Sequence, residues 1–166
     1  MKYTIEIAQD SQSWDLYSEI NNQLFVQVLN EIIKIYKNFD KIKNIELSIL
    51  LTHNNRIKKL NQEFRDQNNT TNVLSFPDID IDFRKILEFQ PDLYYFYLGD
   101  IAFSFETVYA EAAEKKIHFL NHFKHLLVHS ILHLIGYDHR NNEEDKIMRS
   151  VELKILKELS ITSPYL

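Results

Sequence analysis

A short histidine pattern constrains this chain more than any other feature of its sequence. His129, His133 and His139, with Gly136 between the second and the third, follow the spacing H-x-x-x-H-x-x-G-x-x-H. Residues four apart lie on the same face of an α-helix, so the spacing predicts a helix that presents His129 and His133 on one side. Gly136 allows the chain to leave that helix in a conformation that other residues resist, and a short turn then returns His139 toward the same point.

These three histidines are candidate ligands of one metal ion. The chain has no cysteine, so any metal site must be built from histidine, aspartate or glutamate side chains. Three imidazoles leave the fourth position of a tetrahedral site open to water, which is typical of a catalytic zinc site rather than a structural one. We therefore predict one zinc ion per chain, bound by His129, His133 and His139. The alternative is a set of ordinary surface or core histidines that bind no ion.

The composition excludes several classes of function. With only two glycines, Gly99 and Gly136, the chain has neither the three-glycine dinucleotide fingerprint nor a Walker-type phosphate loop. A net charge of −5 argues against a protein that coats nucleic acid, but it is compatible with an enzyme that has a local basic groove. The N-terminal sequence MKYTIEIAQD lacks the apolar core of a signal peptide, and histidines interrupt the longest apolar stretch. We therefore expect a soluble, cytoplasmic single domain over residues 1–166.

The hydrophobic pattern predicts strands early in the chain and helices late. The predicted strands are 2–7, 45–51, 72–76 and 93–104, the last with a possible hairpin bend near Gly99. The predicted helices are 14–36 with Ser13 as a possible N-cap, 54–64, and the sequence after Phe105, which is broken at 136–142 and ends with a helix over 143–159. Residues 78–91 are predicted to be a loop. This order indicates an α+β fold, with one sheet covered by helices.

The spacing of the three histidines and the glycine resembles that of the metzincin proteases. Those enzymes carry a glutamate directly after the first histidine as the general base for peptide hydrolysis. This chain has Ser130 at that position, and a serine cannot act as a carboxylate base. Met148, downstream, resembles their methionine turn. A protease would therefore lack its catalytic base. On the spacing of the histidines, a metal-dependent hydrolase acting on peptides or small molecules is still one interpretation of the pattern.

A second resemblance covers much more of the chain. The segment HSILHLIGYDH, residues 129–139, resembles the signature of the YbeY family of bacterial metal-dependent endoribonucleases. Other segments between about residues 45 and 155 resemble family motifs in the same order, namely Leu60-Asn61, Phe64-Arg65, TNVLSFP at 71–77, GDI at 99–101, and Glu143, Glu144 and Met148. The chain departs from the family pattern at Ser130, where the family usually has glycine, and at 70–72, where it has Thr-Thr-Asn instead of the usual Pro-Thr-Asp.

The resemblance implies a zinc-dependent, single-strand-specific endoribonuclease that acts in 3′-end maturation of 16S ribosomal RNA and in ribosome quality control. The implied partners are RNA and the ribosome, with no membrane and no DNA. The implied fold is a single α+β domain in which a small mixed sheet, of about four strands, packs against a helical layer that carries the zinc motif. A non-catalytic ribosome-associated factor with structural zinc is a third interpretation, beside the endoribonuclease and the metzincin-like hydrolase.

Site residues beyond the metal ligands follow from the same resemblance. Arg65 falls where the family has its important arginine, and its planar guanidinium can donate paired hydrogen bonds to a phosphate. Asp138, directly before the third histidine, either orients an imidazole or moves a proton, or it only stabilises the turn. A net-positive segment with Arg56, Lys58 and Lys59 is a candidate RNA-binding track, and an ordinary solvated helix face is the alternative.

Two further groups of residues leave alternatives open. His118, His122 and His125 continue the helical stripe of the first metal ligand, either as outer partners of the metal, as RNA contacts or as the polar edge of a buried helix. The aromatic run at 94–97 is predicted to pack in the core rather than to stack on RNA bases, because alternate residues of a strand face the core.

Overall fold

A mixed four-stranded sheet forms the centre of the protein. The structure, a computed structural model, describes residues 1–36, 39–80, 82–89 and 93–165. The strands are β1 (Lys2–Gln9), β2 (Asn44–Thr52), β3 (Val73–Pro77) and β4 (Tyr95–Ser104), and their order in the sheet is β1-β2-β4-β3. β1, β2 and β4 are parallel, whereas β3 pairs antiparallel with β4 at the edge. This sheet and the helices around it confirm the predicted α+β fold.

Six α-helices surround the sheet in the described part of the chain. They are α1 (Asn22–Ile33), α2 (Asn54–Arg65), α3 (Ile86–Phe89), α4 (Phe105–Glu114), α5 (Phe119–Leu134) and α6 (Asn142–Glu158). α5 is the central helix, since it contacts β3, β4, α1, α4 and α6. None of the described helices is long and apolar enough to cross a lipid bilayer.

The core lies between one face of the sheet and the helices α1, α5 and α6. Alternate residues of β2 point into it, and Ile45, Leu47 and Ile49 are at most 2% exposed. The other face of the same strands carries a smaller apolar cluster around Ile57 of α2 and Ala102 of β4. The period of two along the strands thus separates a large core from a small one, and α2 covers only the second.

The long helix predicted over 14–36 is wrong, because the chain bends in the middle of it. Residues Gln12–Leu16 form a short 3₁₀ helix, and Ser13 lies inside it instead of capping an α-helix. The indole of Trp14 is buried and donates a 2.9 Å hydrogen bond to the carbonyl oxygen of Thr52, which anchors this segment against the sheet. α1 begins only after Asn21, whose side-chain oxygen accepts from the amide of Leu24 and so satisfies one free donor of the first turn.

The hairpin considered near Gly99 is also wrong, because β4 is one continuous strand. Gly99 pairs with Pro77 of β3, and its φ of +130° is one that residues with side chains rarely adopt. A β-carbon there would lie 2.1 Å from the carbonyl oxygen of Phe76, so glycine is needed for the close approach of the edge strand. The pairing with β2 shifts register nearby, between Glu46 and Ser48, as expected of a β-bulge.

The predicted loop at 78–91 contains ordered helix as well as loop. Phe83–Lys85 form a 3₁₀ helix and α3 follows it directly. Ile86 is 1% exposed and belongs to the main core. Burial of this side chain stabilises the helical conformation here, which the acidic composition of the segment did not indicate. The parts of the prediction at 81 and 90–91 lie outside the described residues.

Candidate metal centre and active-site cleft

The three histidines of the motif meet at the end of α5. His129 and His133 lie one turn apart on α5, which ends just before Gly136. Gly136 has a φ of +106°, and a β-carbon there would lie 2.9 Å from the Cα atom of Asp82. Glycine is therefore required at this position both by the backbone conformation and by the packing of the neighbouring segment. The chain then turns and returns His139 to the two helical histidines, as predicted.

The geometry of these side chains fits a metal ion. One ligand atom from each of His129, His133 and His139 lies within 4.8 Å of the others. The Nε2 atoms of His129 and His133 are 3.0 Å apart. Two nitrogens of a tetrahedral zinc ion, each at roughly 2.0–2.1 Å from the metal, lie about 3.3 Å apart, so this pair needs little movement to accommodate zinc. This is the one such group of metal-ligating residues found among the described residues.

The second nitrogen of each helical histidine has a hydrogen-bond acceptor. His133 Nδ1 lies 3.0 Å from the carbonyl oxygen of Tyr137, and His129 Nδ1 lies 2.5 Å from Oε1 of Glu152. With the protons on Nδ1, both Nε2 lone pairs face the shared point between the rings. Burial and the neighbouring His129 lower the pKa of His133 to about 4, which keeps this imidazole neutral and able to bind a metal at neutral pH.

Glu152, which the sequence analysis missed, contacts the candidate metal centre. Its carboxylate is 1% exposed and also accepts hydrogen bonds from Tyr165 and His125. Burial alone would raise the pKa of Glu152, but the hydrogen bonds from His125, His129 and Tyr165 hold that pKa well below its usual value. The carboxylate is therefore ionised behind the candidate ligand His129, where it accepts from Nδ1 and orients the ring.

Glu152 lies among the buried residues of the last helix. The apolar residues at 147, 151, 155 and 159 are four apart along this helix. In α6 Ile147 is 49% exposed, and the buried residues are Met148, Glu152, Ile155 and Leu156. A glutamate one turn after Met148 and one turn before Leu156 is a charge inside a buried stripe, which calls for a partner.

A cleft of about 520 Å³ opens beside the three histidines. The edge strand β3 and Arg65, the last residue of α2, also line it. Arg65 donates from Nη2 to the carbonyl oxygen of Ser75 at 2.6 Å, and its guanidinium lies 5.6 Å from the ring centroid of Phe76. The structure therefore places Arg65 and the metal ligands in the same cleft.

The remaining predicted site residues divide into two groups. Asp138 lines the cleft, but its carboxylate accepts from the amide of His139 at 2.8 Å and pairs with Arg140 at 2.5 Å. These are contacts of the turn, and its catalytic role stays a prediction. Arg56, Lys58 and Lys59 are not among the residues that line the cleft, and Arg56 pairs with Asp10 at 2.5 Å. Arg140, which also lines the cleft, was not predicted.

The histidines upstream of the motif have different surroundings. His122 is 1% exposed and pairs with Glu111 at 2.7 Å, and His125 Nε2 lies 3.5 Å from Glu152. His118 precedes α5 and is exposed. His125 therefore belongs to the outer contacts of the candidate metal centre, whereas His122 pairs inside the helical layer.

In the aromatic run at 94–97 the core-packing prediction holds for Phe96, which is 7% exposed, and fails for Tyr94, which is 69% exposed.

Comparison with known proteins decides the family. The family model described as endoribonuclease YbeY matches residues 8–160. The chain belongs to the YbeY family. It is 34% identical to endoribonuclease YbeY of Bartonella henselae over 164 residues, which cover 98% of this chain and 96% of that protein. The solution structure of TM1509 from Thermotoga maritima has the same fold, with a TM-score of 0.55 and 24% identity over 95% of this chain and 92% of that one.

Membership in this family makes the protein an enzyme, a hydrolase of the endoribonuclease class, with a histidine cluster suited to a metal.

Ser130, where the chain departs from the family pattern, is a buried residue of the helical layer. Ser130 is 0% exposed on α5, and its hydroxyl has no hydrogen-bond partner among the described residues. The residue is enclosed in the helical layer, so it does not replace the glutamate base of a metzincin.

Proposed function

We propose that this protein is a zinc-dependent endoribonuclease that cleaves single-stranded RNA. The observation that carries the proposal is the convergence of His129, His133 and His139 in a cleft that Arg65 also lines. Cleavage of a phosphodiester would be helped by a metal and a cation that reach the same group, and this cleft is lined by three candidate metal ligands and by Arg65. One zinc ion per chain, and residues 1–166 as a single metallo-endoribonuclease domain, are part of the proposal.

The metal would supply Lewis-acid chemistry, polarising a phosphoryl oxygen or water. Zinc is favoured over harder divalent cations because the ligand set is made of imidazoles rather than carboxylates. Two of the three imidazoles are held in one tautomer by the acceptors behind them, so the site is preorganised to receive the ion.

Arg65 would bind the phosphate that reacts. Its hydrogen bond to Ser75 and its contact with the ring of Phe76 fix the plane of the guanidinium. A guanidinium has several N–H donors, and the bond to Ser75 uses one of them, so the others can bind phosphate oxygens. A fixed cation beside the scissile group stabilises the negative charge that develops during phosphodiester hydrolysis.

Asp138 and Arg140 would act at the entrance of the cleft. The side chain of Arg140 is 81% exposed, which makes it available to an RNA backbone, and its pairing with Asp138 places it beside the third histidine. Asp138 would position this turn or move a proton during cleavage. Arg56, Lys58 and Lys59 would extend the positive surface along α2, with a smaller effect because they lie outside the cleft lining.

In the cell, we propose a role in 3′-end maturation of 16S ribosomal RNA and in ribosome quality control, with RNA and the ribosome as partners and the cytoplasm as the location. The family supports an RNA substrate. A cleft of about 520 Å³ has room for the sugar-phosphate of a flipped-out nucleotide, and an unpaired strand can present one more easily than a duplex.

The test is cleavage of matched nucleic acids by zinc-loaded and chelator-treated protein. A 5′-labelled single-stranded RNA, its duplex, the DNA of the same sequence and an unstructured peptide are incubated separately. The proposal expects metal-dependent internal cleavage of the single-stranded RNA, slower cleavage of the duplex, and intact DNA and peptide. Cleavage that persists after removal of the metal would contradict the zinc dependence. Cleavage of the peptide with no action on RNA would favour the metzincin-like hydrolase instead.

A further inference from the structure

A tyrosine beyond α6 reaches the metal centre through Glu152. The segment after α6 turns back along the helical layer, and the hydroxyl of Tyr165 donates a short hydrogen bond to Oε2 of Glu152. The other oxygen of that carboxylate, Oε1, lies 2.5 Å from Nδ1 of His129. A continuous chain of contacts therefore runs from Tyr165 to a metal ligand. Tyr165 also lies beyond residues 8–160, the part of the chain that the family model matches.

The ring of Tyr165 contacts one side chain of α5 and one of α6. The guanidinium of Arg149 lies 4.7 Å from its centroid, and the ring of His125 meets it edge-on with centroids 5.7 Å apart. Its backbone amide is bonded to the hydroxyl of Ser163 at 3.2 Å. The ring is thus contacted by two side chains and the hydroxyl by a third, that of Glu152, although the residue is 40% exposed.

The position of Glu152 explains why such a partner is useful. A carboxylate that is 1% exposed loses its hydration and must receive hydrogen bonds from the protein. His129 can satisfy one oxygen only, and a carboxylate held by one oxygen can rotate about its last bond. The second oxygen receives the Tyr165 hydroxyl and is also approached by His125 Nε2 at 3.5 Å. The bond from Tyr165 is the shorter of the two, so it restrains that rotation more strongly and holds the acceptor in line with the imidazole.

We propose that Tyr165 is a positioning residue of the metal centre, which fixes the Glu152 carboxylate and through it the ring orientation of His129. The inference rests on the proposed metal-dependent function, because its consequence is tighter metal binding. Outer partners of this kind typically contribute about 10- to 100-fold in metal affinity when they contact the ligand directly. One contact further away, Tyr165 is expected to contribute less than Glu152 does.

The experiment compares zinc binding by the parent protein, Tyr165→Phe and Glu152→Gln. Zinc affinity is measured by competition with a chromophoric chelator, and the protein is also loaded with cobalt so that its visible spectrum reports the ligand geometry. Tyr165→Phe keeps the ring and removes only the hydroxyl, and we expect a loss of affinity of about three- to tenfold. Glu152→Gln keeps the shape and removes the charge, and we expect about 10- to 100-fold. Both variants should change the cobalt spectrum.

Tyr94→Phe is the matched control, because it removes a hydroxyl from a tyrosine that is 69% exposed and should leave zinc affinity and the cobalt spectrum unchanged. Unchanged affinity and spectrum in Tyr165→Phe would overturn the inference while leaving the metal site intact. A parent protein that binds no zinc would instead overturn the proposed function, and this inference with it. If Glu152→Gln does not fold, the comparison between Tyr165→Phe and Tyr94→Phe decides the question alone.

Discussion

The Nη2 atom of Arg65 lies 2.6 Å from the carbonyl oxygen of Ser75 and donates a hydrogen bond to it. Arg65 is the last residue of α2, on one face of the sheet, and Ser75 belongs to the edge strand β3. The bond therefore crosses from the helix to the strand that forms the wall of the cleft. A backbone acceptor fixes the direction of the guanidinium more firmly than another mobile side chain would.

Replacing Arg65 with alanine should impair catalysis while leaving metal binding intact. Arginine stays protonated and is a poor zinc ligand, so zinc content should match that of the parent protein. Loss of the phosphate contact should slow single-turnover cleavage of RNA by about a hundredfold or more. Arg65→Lys should recover little, because an ammonium cannot reproduce the planar, paired hydrogen bonds.

The control for Arg65 is Lys34→Ala, which removes an exposed cation from α1. Its side chain is 58% exposed and pairs with Glu31 in the same helix, so cleavage should stay within about twofold of the parent rate. If Arg65→Ala behaves like this control after its zinc content is confirmed, Arg65 is an ordinary surface arginine and the metal alone carries the proposed chemistry.

Zinc content should depend on the three histidines of the motif and not on histidine content in general. The lowered pKa of His133 keeps its imidazole neutral and able to bind zinc. His133→Ala removes this ligand, so elemental analysis should show the loss of most of the near-equimolar zinc. His53→Ala removes the histidine directly before α2 and should leave zinc unchanged. Equal zinc content in both variants would reject the site.

The lowered pKa of His133 also predicts a pH dependence of the metal-free protein. Its pKa is about 4 in the folded state, and the ordinary value of about 6.5 applies to the unfolded chain. Between these values the unfolded state binds the proton and the folded state does not, so the free energy of unfolding decreases as pH falls from about 6.5 toward 4. Denaturant unfolding at several pH values should show a shallower decrease for His133→Gln than for the parent protein.

The cluster of three histidines was predictable from the sequence because its geometry is local. A spacing of four on a helix and a glycine three residues later determine where His129, His133 and His139 lie without any knowledge of the sheet. Glu152 was not predictable in the same way, because its partner lies on a different helix. Arg65 required the family resemblance, since nothing in a short basic segment indicates which residue ends the helix at the cleft.

The fold shows the same division between local and non-local information. The alternation in β2 was clear in the sequence because every second residue enters the core. The bend that separates Gln12–Leu16 from α1 was missed, although the apolar spacing is helical throughout. In this segment Trp14 donates a hydrogen bond to Thr52, a residue 38 positions away. A tertiary contact of this kind can override helical periodicity, and the local signal is confined to Asn21, the N-cap of α1.

Ser130→Ala should stabilise the protein. The Ser130 hydroxyl is buried on α5 without a hydrogen-bond partner among the described residues, and alanine removes that unsatisfied group and favours the helix. We expect a gain of about 0.5–1 kcal/mol in the free energy of unfolding and RNA cleavage at the parent rate. A large loss of cleavage in a normally folded Ser130→Ala protein would instead indicate a role for this hydroxyl in the reaction.

Gly136→Ala should damage the metal centre and the stability together. The φ of +106° is costly for alanine, and its β-carbon would lie 2.9 Å from the Cα atom of Asp82, so the turn must move. That movement displaces His139 from the two ligands on α5, which should weaken zinc binding by at least about tenfold and cost roughly 1–3 kcal/mol of stability.

The control is Asn21→Ala, which removes the N-cap of α1 and should cost about 1 kcal/mol of stability without moving the site. Zinc affinity measured beside denaturant unfolding separates the two effects. If both variants lose stability and neither loses zinc affinity, the conformation at Gly136 serves only the packing against Asp82.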